Sequence, residues 1–257
     1  ACRKKMLERV EPQRLRDATG LRRLFIKDDS LNPTASLKDR ASYLVAAYAR
    51  EQQIPDIVVA STGNAASSMA GVGAAAGLQV TIFVPASAPR AKLVQSLQYG
   101  ARVITVAGNY DRAYELSLEY TRRYGGLSRN TAYNPLTIEG KKTAALEICK
   151  QLGGAPDFVF VPVGDGVILS GVYKGFRDLV QMGVIPHVPT VYAVQAEGSD
   201  AITRAFRQGD FGAPIESHTV ADSIAVDVPR NGYHALKQLR AHGGRCVTVP
   251  DEAILDA

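Results

Sequence analysis

The chain has 257 residues, a length that predicts one large domain or two of modest size. With 46% hydrophobic and 21% charged residues it is close to globular averages, which excludes disordered, collagen-like and low-complexity chains. Mean hydropathy is -0.06 and no apolar run approaches the roughly 20 residues of a membrane span, so we expect no membrane insertion. The net charge of +5 favours anionic ligands, but basic residues are scattered without interleaved aromatics, so we expect no nucleic-acid binding.

Short apolar runs rich in Val and Ile recur along the chain and predict strands. They are Leu24–Ile26, Ile57–Val59, Val80–Val84, Val103–Val106, Phe158–Val161, Val191–Val194 and Cys246–Val249. Because these runs lack polar alternation, we expect both faces of the sheets to be covered.

Segments with helical periodicity lie between the runs. They are Asp39–Gln53, Ala65–Ala76, Ala91–Tyr99, Asp111–Tyr124, Gly140–Leu152 and Ser170–Met182. Gly77, Gly100 and Gly125 follow three of them, where a left-handed residue ends a helix. Strands alternating with such helices predict right-handed crossovers and an α/β fold with mostly parallel sheets.

Three turns that follow apolar runs carry residues suited to chemistry, because ligands of α/β sheets bind at the carboxyl ends of strands. In the first, a helix predicted to begin near Ser36 places Lys38 in its first turn, where the positive helix dipole favours a neutral, nucleophilic amine. An ordinary solvated lysine is the alternative for this stretch.

The second turn, Ser61–Ala65, joins two hydroxyls and a glycine to the start of an Ala-rich helix and suits a carboxylate or phosphate. The third places Gly164 and Gly166 at a helix start, a geometry suited to a phosphate monoester. Its spacing fits neither a dinucleotide fingerprint nor a Walker A loop. Each turn taken alone is also compatible with a plain connection between a strand and a helix.

Cysteine and histidine spacing indicates no metal site. The three cysteines, Cys2, Cys149 and Cys246, are far apart, form no CxxC motif and predict a reducing, cytoplasmic setting. The four histidines lack metal-ligand spacing, and no HExxH or GxSxG motif occurs.

Taken together, the motifs resemble the fold-type II pyridoxal-phosphate enzymes, and among them the threonine synthase family. The residues that carry the resemblance are IKDDSLNPT at 26–34, SLKDR at 36–40, STGNAAS at 61–67, NP at 134–135 and IEGKKT at 138–143. The resemblance runs from about Leu21 to the end of the sequence.

The resemblance implies a role for each matched residue. Lys38 would hold pyridoxal 5'-phosphate as a Schiff base and then move protons at the substrate Cα and Cβ. Asn64 would bind the cofactor 3'-oxygen. The implied cofactor-binding residues are Lys38, Asn64, Gly164, Asp165, Gly166, Val167 and Ile168. The implied substrate-binding residues are Ser61, Thr62, Gly63, Asn64, Ala65, Thr137 and Lys141.

The resemblance also implies an architecture of two three-layer αβα domains with the cofactor between them. Residues 1–50 and 133–257 would form the larger domain, whose C-terminal part is incomplete against the family pattern, and residues 51–132 a smaller mobile domain. Closure of the smaller domain would exclude water. The partners implied are a small amino-acid substrate carrying a phosphate and a second copy of the chain in a homodimer.

Three departures from the family pattern concern the substrate and the cofactor. Thr137 stands where the family carries an arginine that binds the substrate phosphate, so Lys141, Lys142 or Arg90 would have to compensate. Asp165 would repel the cofactor phosphate unless it points away or caps a backbone N–H. The group that contacts the pyridine nitrogen is not identified by any motif.

Three functions therefore stand side by side. The first is conversion of O-phospho-L-homoserine and water to L-threonine and phosphate. The second, favoured by Thr137, is a lyase or β-replacement reaction of the threonine/serine dehydratase or cysteate synthase kind. The third is a non-catalytic α/β protein that binds a phosphorylated metabolite.

Overall fold

The computed structural model describes residues 9–257, so the predictions that involve Cys2 and the other residues of segment 1–8 lie outside the described part. Its strands are Arg9–Val10 (β1), Ile26–Lys27 (β2), Asp56–Ala60 (β3), Gln79–Pro85 (β4), Arg102–Val106 (β5), Leu127–Ser128 (β6), Phe158–Pro162 (β7), Thr190–Ala196 (β8) and Arg245–Val249 (β9). Its α-helices are Gln13–Thr19 (α1), Lys38–Glu51 (α2), Asn64–Ala76 (α3), Arg90–Gln98 (α4), Tyr110–Tyr124 (α5), Leu136–Lys141 (α6), Thr143–Leu152 (α7), Val167–Gln181 (α8), Ala201–Gln208 (α9), Gly232–Ala241 (α10) and Asp251–Asp256 (α11).

Strands β3 to β9 form two parallel sheets, which confirms the predicted α/β class. One sheet has the order β5-β4-β3-β6 and the other the order β7-β8-β9, with every neighbouring pair parallel. In the first, Ile57 pairs with Val80 and Ile82 with Val103. All strands of the first sheet lie within segment 51–132, and all strands of the second within 133–257; the division into domains stays a prediction.

Both faces of the four-stranded sheet are buried, as the apolar runs predict. One face packs against α2 and α3 through a cluster that includes Val59, Ile82 and Met69. The other packs against α5, where Val58 meets Ala113. The strand sequence can be apolar on both sides because helices cover both sides.

The same prediction is wrong for the three-stranded sheet. Its inner face packs against α8 through Val161, Val191 and Phe176. On the outer face, Phe158 and Phe160 are about three-fifths exposed, at 59% and 61%. These rings pack against Tyr192, with a Phe160–Tyr192 centroid distance of 4.6 Å, and no described residue covers them as a helix would.

The run Leu24–Ile26 is also not a parallel strand. Only Ile26–Lys27 is extended, and it pairs antiparallel with Arg9–Val10 outside both sheets. The charged residues that follow cannot enter a sheet core: Lys27 binds Glu147 at 2.8 Å, and Asp29 binds a buried arginine.

The helix predicted over Gly140–Leu152 begins earlier and is broken. It starts at Leu136, whose N–H is capped by the Asn134 side chain at 2.9 Å. The break follows Lys141, where the Thr143 hydroxyl donates to the Gly140 carbonyl at 2.8 Å, a bond that bends helices. The result is two short helices, α6 and α7.

No helix among residues 9–257 is long and apolar enough to cross a membrane. The described residues also contain no group of three or more His, Cys, Asp and Glu side chains placed to hold a metal ion.

Candidate functional site

Lys38 is the first residue of α2, as the Asn-Pro and Ser signals predict to within two residues. The Ser36 hydroxyl accepts from the Lys38 N–H at 3.2 Å and so fixes the start of the helix. Burial lowers the pKa of the Lys38 amine from its ordinary value of 10.5; the Asp165 carboxylate opposes this shift and the Arg129 guanidinium adds to it. Burial thus joins the helix dipole in favouring the neutral, nucleophilic amine.

The Ser61–Ala65 turn connects β3 to α3. The Ser61 hydroxyl accepts from the Gly63 N–H at 3.2 Å, while Asn64 and Ala65 begin the helix and have no acceptor within it for their N–H groups. Asn130 holds the base of the turn, because its side-chain oxygen accepts from the Ala60 N–H at 2.7 Å. The turn therefore presents donors suited to an anion.

The Gly164–Ile168 turn leads from β7 into the 15-residue helix α8. Gly166 has φ +89, a backbone conformation that favours glycine, and a Cβ there would lie 2.8 Å from the Ala235 Cβ. Both the backbone conformation and the lack of space therefore require glycine at this position. Helix N–H groups exposed in this way form a site for a phosphate.

The structure gives Asp165 a definite position. Its Oδ1 accepts from the Val167 N–H at 3.0 Å, so the carboxylate caps the start of α8. The same carboxylate raises the pKa values of Lys38, Lys141 and Arg129 against the lowering effect of burial. It is the one acidic group that acts on all three of these cations among the described residues.

Thr137 cannot replace a guanidinium. Its side chain is fully buried, and its hydroxyl donates to the Asn134 carbonyl oxygen at 2.8 Å. Of the residues considered as substitutes, Lys142 forms ion pairs with Glu139 and Asp178, both at 2.8 Å. Arg90 is exposed at the start of α4.

Lys141, in contrast, interacts electrostatically with Lys38, Asp165 and Arg129. It is only 2% exposed and forms no ion pair with any residue of segment 9–257. Burial lowers its pKa from 10.5 to about 7; Asp165 opposes the shift, and Arg129 and Lys38 add to it. The two neighbouring lysines of the KK pair therefore have opposite environments.

Arg129 is the residue that the sequence analysis missed. It follows the two-residue strand β6, its N–H donates to the Val58 carbonyl at 2.8 Å, and its side chain is fully buried. Burial lowers its pKa to about 10, against the opposing effects of Asp165, Tyr110 and Asp39. Its only sequence signal is one arginine among small polar residues, with no apolar run before it.

These residues fit pyridoxal phosphate. The site contains the half-buried Lys38 amine, whose pKa is lowered, and the glycine turn at the start of α8. It also contains the buried Arg129 guanidinium, which has unpaired N–H donors. Lys38 would bind the aldehyde carbon, and the N–H groups of Gly166 and Ile168, which flank the N–H that Asp165 caps, would bind the phosphate.

Comparison with known proteins shows the same relationship. The family model described as "Pyridoxal-phosphate dependent enzyme" matches residues 8–257. The chain is 35% identical over 248 residues to a protein named threonine synthase in Methanosarcina acetivorans, covering 95% of this chain and 61% of that one. It is also 35% identical to a threonine synthase of Methanocaldococcus jannaschii, covering 93% and 60%. The chain thus spans about three-fifths of these relatives.

Solved structures show the same fold at lower identity. Maize serine racemase superposes with a TM-score of 0.86 at 22% identity, covering 98% of this chain and 74% of that one. The processed threonine deaminase isoform 2 of Solanum lycopersicum gives 0.82 at 24% identity, covering 96% and 65%. The predicted fold-type II architecture is confirmed at the level of the fold.

Proposed function

Because the chain belongs to the pyridoxal-phosphate-dependent enzyme family, we propose that it acts as a threonine synthase, converting O-phospho-L-homoserine and water to L-threonine and phosphate. The observation that supports this most is the half-buried Lys38 amine beside Asp165 of the glycine turn, together with Lys141, which forms no ion pair, and Arg129, whose Nε and Nη2 have no partner among the described residues. A substrate with two anionic ends suits such a centre.

Each part of the chain then has a task. When bound, the cofactor supplies the electron sink that makes the substrate Cα and Cβ protons acidic. Lys38 takes and returns these protons, because lowering the pKa of its amine favours the neutral form that can act as a base. The Ser61–Ala65 turn binds the substrate carboxylate and orients the Cα–H bond.

Closure of segment 51–132 over the substrate would exclude water until it is needed at Cβ. Among residues 9–257, two ion pairs join this segment to the remainder: Lys92 binds Asp222 at 2.7 Å, and Arg230 binds Asp111. Arg230 also lies over the Tyr114 ring, 4.2 Å from its centroid. These contacts would form and break with the movement.

The test is direct. Purified protein supplied with pyridoxal phosphate and O-phospho-L-homoserine should release phosphate and L-threonine in equal amounts. Lys38→Ala should lose turnover by orders of magnitude, and borohydride reduction with peptide mapping should place a pyridoxyl group on Lys38. A protein that keeps its ligand affinity but shows no turnover in either form would instead be a metabolite-binding protein.

The buried Thr137 favours a second candidate, an amino-acid lyase or β-replacement enzyme of the dehydratase or cysteate synthase kind, because its hydroxyl is already used by the Asn134 carbonyl. Ammonia and keto acid formed from serine or threonine, without phosphate release from O-phospho-L-homoserine, would establish the lyase activity. The expected cytoplasmic homodimer belongs to the same proposal, and sedimentation velocity measures its subunit number.

A further inference from the structure

One edge of the Arg129 guanidinium meets no acceptor among residues 9–257. Its Nη1 donates to the Thr131 hydroxyl at 2.7 Å, while Nε and Nη2 are buried and have no hydrogen-bond partner among the described residues. A buried, unpaired guanidinium is costly, since desolvation is not offset by hydrogen bonds. Such a side chain persists where a ligand supplies the missing acceptors.

Arg40 of the same chain shows what the Nε and Nη2 edge of a buried guanidinium binds. Its Nε and Nη2 donate to the two oxygens of Asp29 at 2.7 and 2.8 Å, a side-on bidentate pair. Nε and Nη2 are also the atoms left without partners in Arg129. The parallel N–H groups of this edge match carboxylate and phosphate oxygens, so the missing partner is an oxyanion.

Lys141 is a second buried basic side chain whose charge interacts with that of Arg129. It is a charged neighbour of Arg129, and its stem is fixed against α8, where a Cβ on Gly171 would lie 2.7 Å from the Lys141 Cβ. Asp39 raises the pKa of Arg129 through its charge but forms no ion pair with it, because its carboxylate accepts from the Thr34 N–H and hydroxyl. Asp165 is therefore the one carboxylate that Lys38, Arg129 and Lys141 share among the described residues, and Asp39 acts on Arg129 alone.

The other anions of the proposed reaction already have sites. The Gly164–Ile168 turn suits the cofactor phosphate, and the Ser61–Ala65 turn suits the substrate carboxylate. We propose that Arg129 and Lys141 form a separate oxyanion subsite that binds the phosphate at the far end of the substrate, replacing the guanidinium absent at Thr137. This inference rests on the proposed function for the identity of the substrate, but the subsite itself is tested without turnover.

The first measurement is binding of inorganic phosphate to the holoenzyme by isothermal titration calorimetry, with the cofactor filling its own phosphate site. Arg129→Lys keeps the charge but loses the bidentate edge, and Lys141→Met removes a cation. Each should weaken phosphate binding by about 10- to 100-fold, the effect of losing a charged hydrogen bond. The controls Lys142→Met and Arg90→Met should bind phosphate as the unmodified chain does.

A second measurement covers the case in which a variant folds poorly. Arg129→Met removes the unpaired charge, so its melting temperature in phosphate-free buffer should equal or exceed that of the unmodified holoenzyme. Added phosphate should raise the melting temperature of the unmodified chain and leave that of Arg129→Met unchanged. A purely structural role for Arg129 would instead lower stability with and without phosphate.

The inference is overturned if the holoenzyme binds no phosphate, if the variants and controls bind it equally, or if the Arg129 variants release the cofactor while phosphate binding persists. The last result would assign Arg129 to the cofactor. If the binding pattern holds but O-phospho-L-homoserine is not consumed, the subsite stands and the threonine synthase proposal fails. If O-phospho-L-homoserine is consumed but the variants and controls bind phosphate equally, the threonine synthase proposal stands and the subsite proposal fails.

Discussion

Replacing Lys141 with Met should change how stability depends on pH. The unfolded chain has a lysine of pKa 10.5, whereas burial brings the folded value to about 7. Between these values the unfolded chain binds the extra proton, so stability rises with pH and the penalty for burying the charge is relieved. At 1.36 kcal/mol per pKa unit, this gives about 2 kcal/mol between about pH 7 and about pH 9.

The assay is urea unfolding of cofactor-free protein in phosphate-free buffer at several pH values. The unmodified chain should gain about 2 kcal/mol over Lys141→Met as the pH rises through this window. Lys142→Met is the matched control, since ion pairs with Asp178 and Glu139 raise the pKa of Lys142 and leave it protonated across the range. Parallel stability curves for the unmodified chain and Lys141→Met would refute the buried-charge argument.

Three further substitutions test the framework of the site. Gly166→Ala puts a Cβ 2.8 Å from that of Ala235 at φ +89, so it should cost about 2 kcal/mol or more in urea unfolding and weaken pyridoxal phosphate binding in a fluorescence titration. Gly140→Ala would overlap the α2 backbone and should lower the melting temperature by several degrees, whereas Gly154→Ala, with open space around it, should not. Asp165→Asn keeps the cap on α8 but removes the carboxylate charge that raises the pKa of Lys141. Lys141 should then lose its proton at a lower pH, and calorimetry across pH should show phosphate binding weakening at a lower pH than in the unmodified chain.

The sequence predicted correctly the strands that are buried on both faces. Runs such as Ile57–Val59 and Val80–Val84 became central strands because helices cover both of their faces. The same rule failed at Phe158 and Phe160, where aromatic residues pack against each other on an open face. Local composition indicates that a residue is suited to burial, but whether it is buried depends on which elements pack against it in the fold.

The helix starts that carry the candidate site residues were predicted to a similar extent, while the roles of these residues stay predictions. Lys38 and the glycine turn at 164–166 have local signals, namely a cap, a turn residue or a positive φ, and the structure places them at helix starts. Arg129 has no such signal, because its burial comes from contacts far along the chain, such as the bond from its N–H to Val58. Its unpaired donors become visible only when the neighbours are in place.

The packing of α2 against α6 links the two lysines of the site. Lys38 begins α2 and Lys141 ends α6, and the helices meet where the Gly140 Cα approaches the Arg40 carbonyl too closely for any side chain. Arg40 in turn binds Asp29 and the Glu147 carboxylate of α7, at 2.9 Å, which holds α2 in place. Because the charge of Lys38 lowers the pKa of Lys141, neutralising Lys38 raises it. A covalent bond that neutralises Lys38 would therefore strengthen the binding of an anion by Lys141.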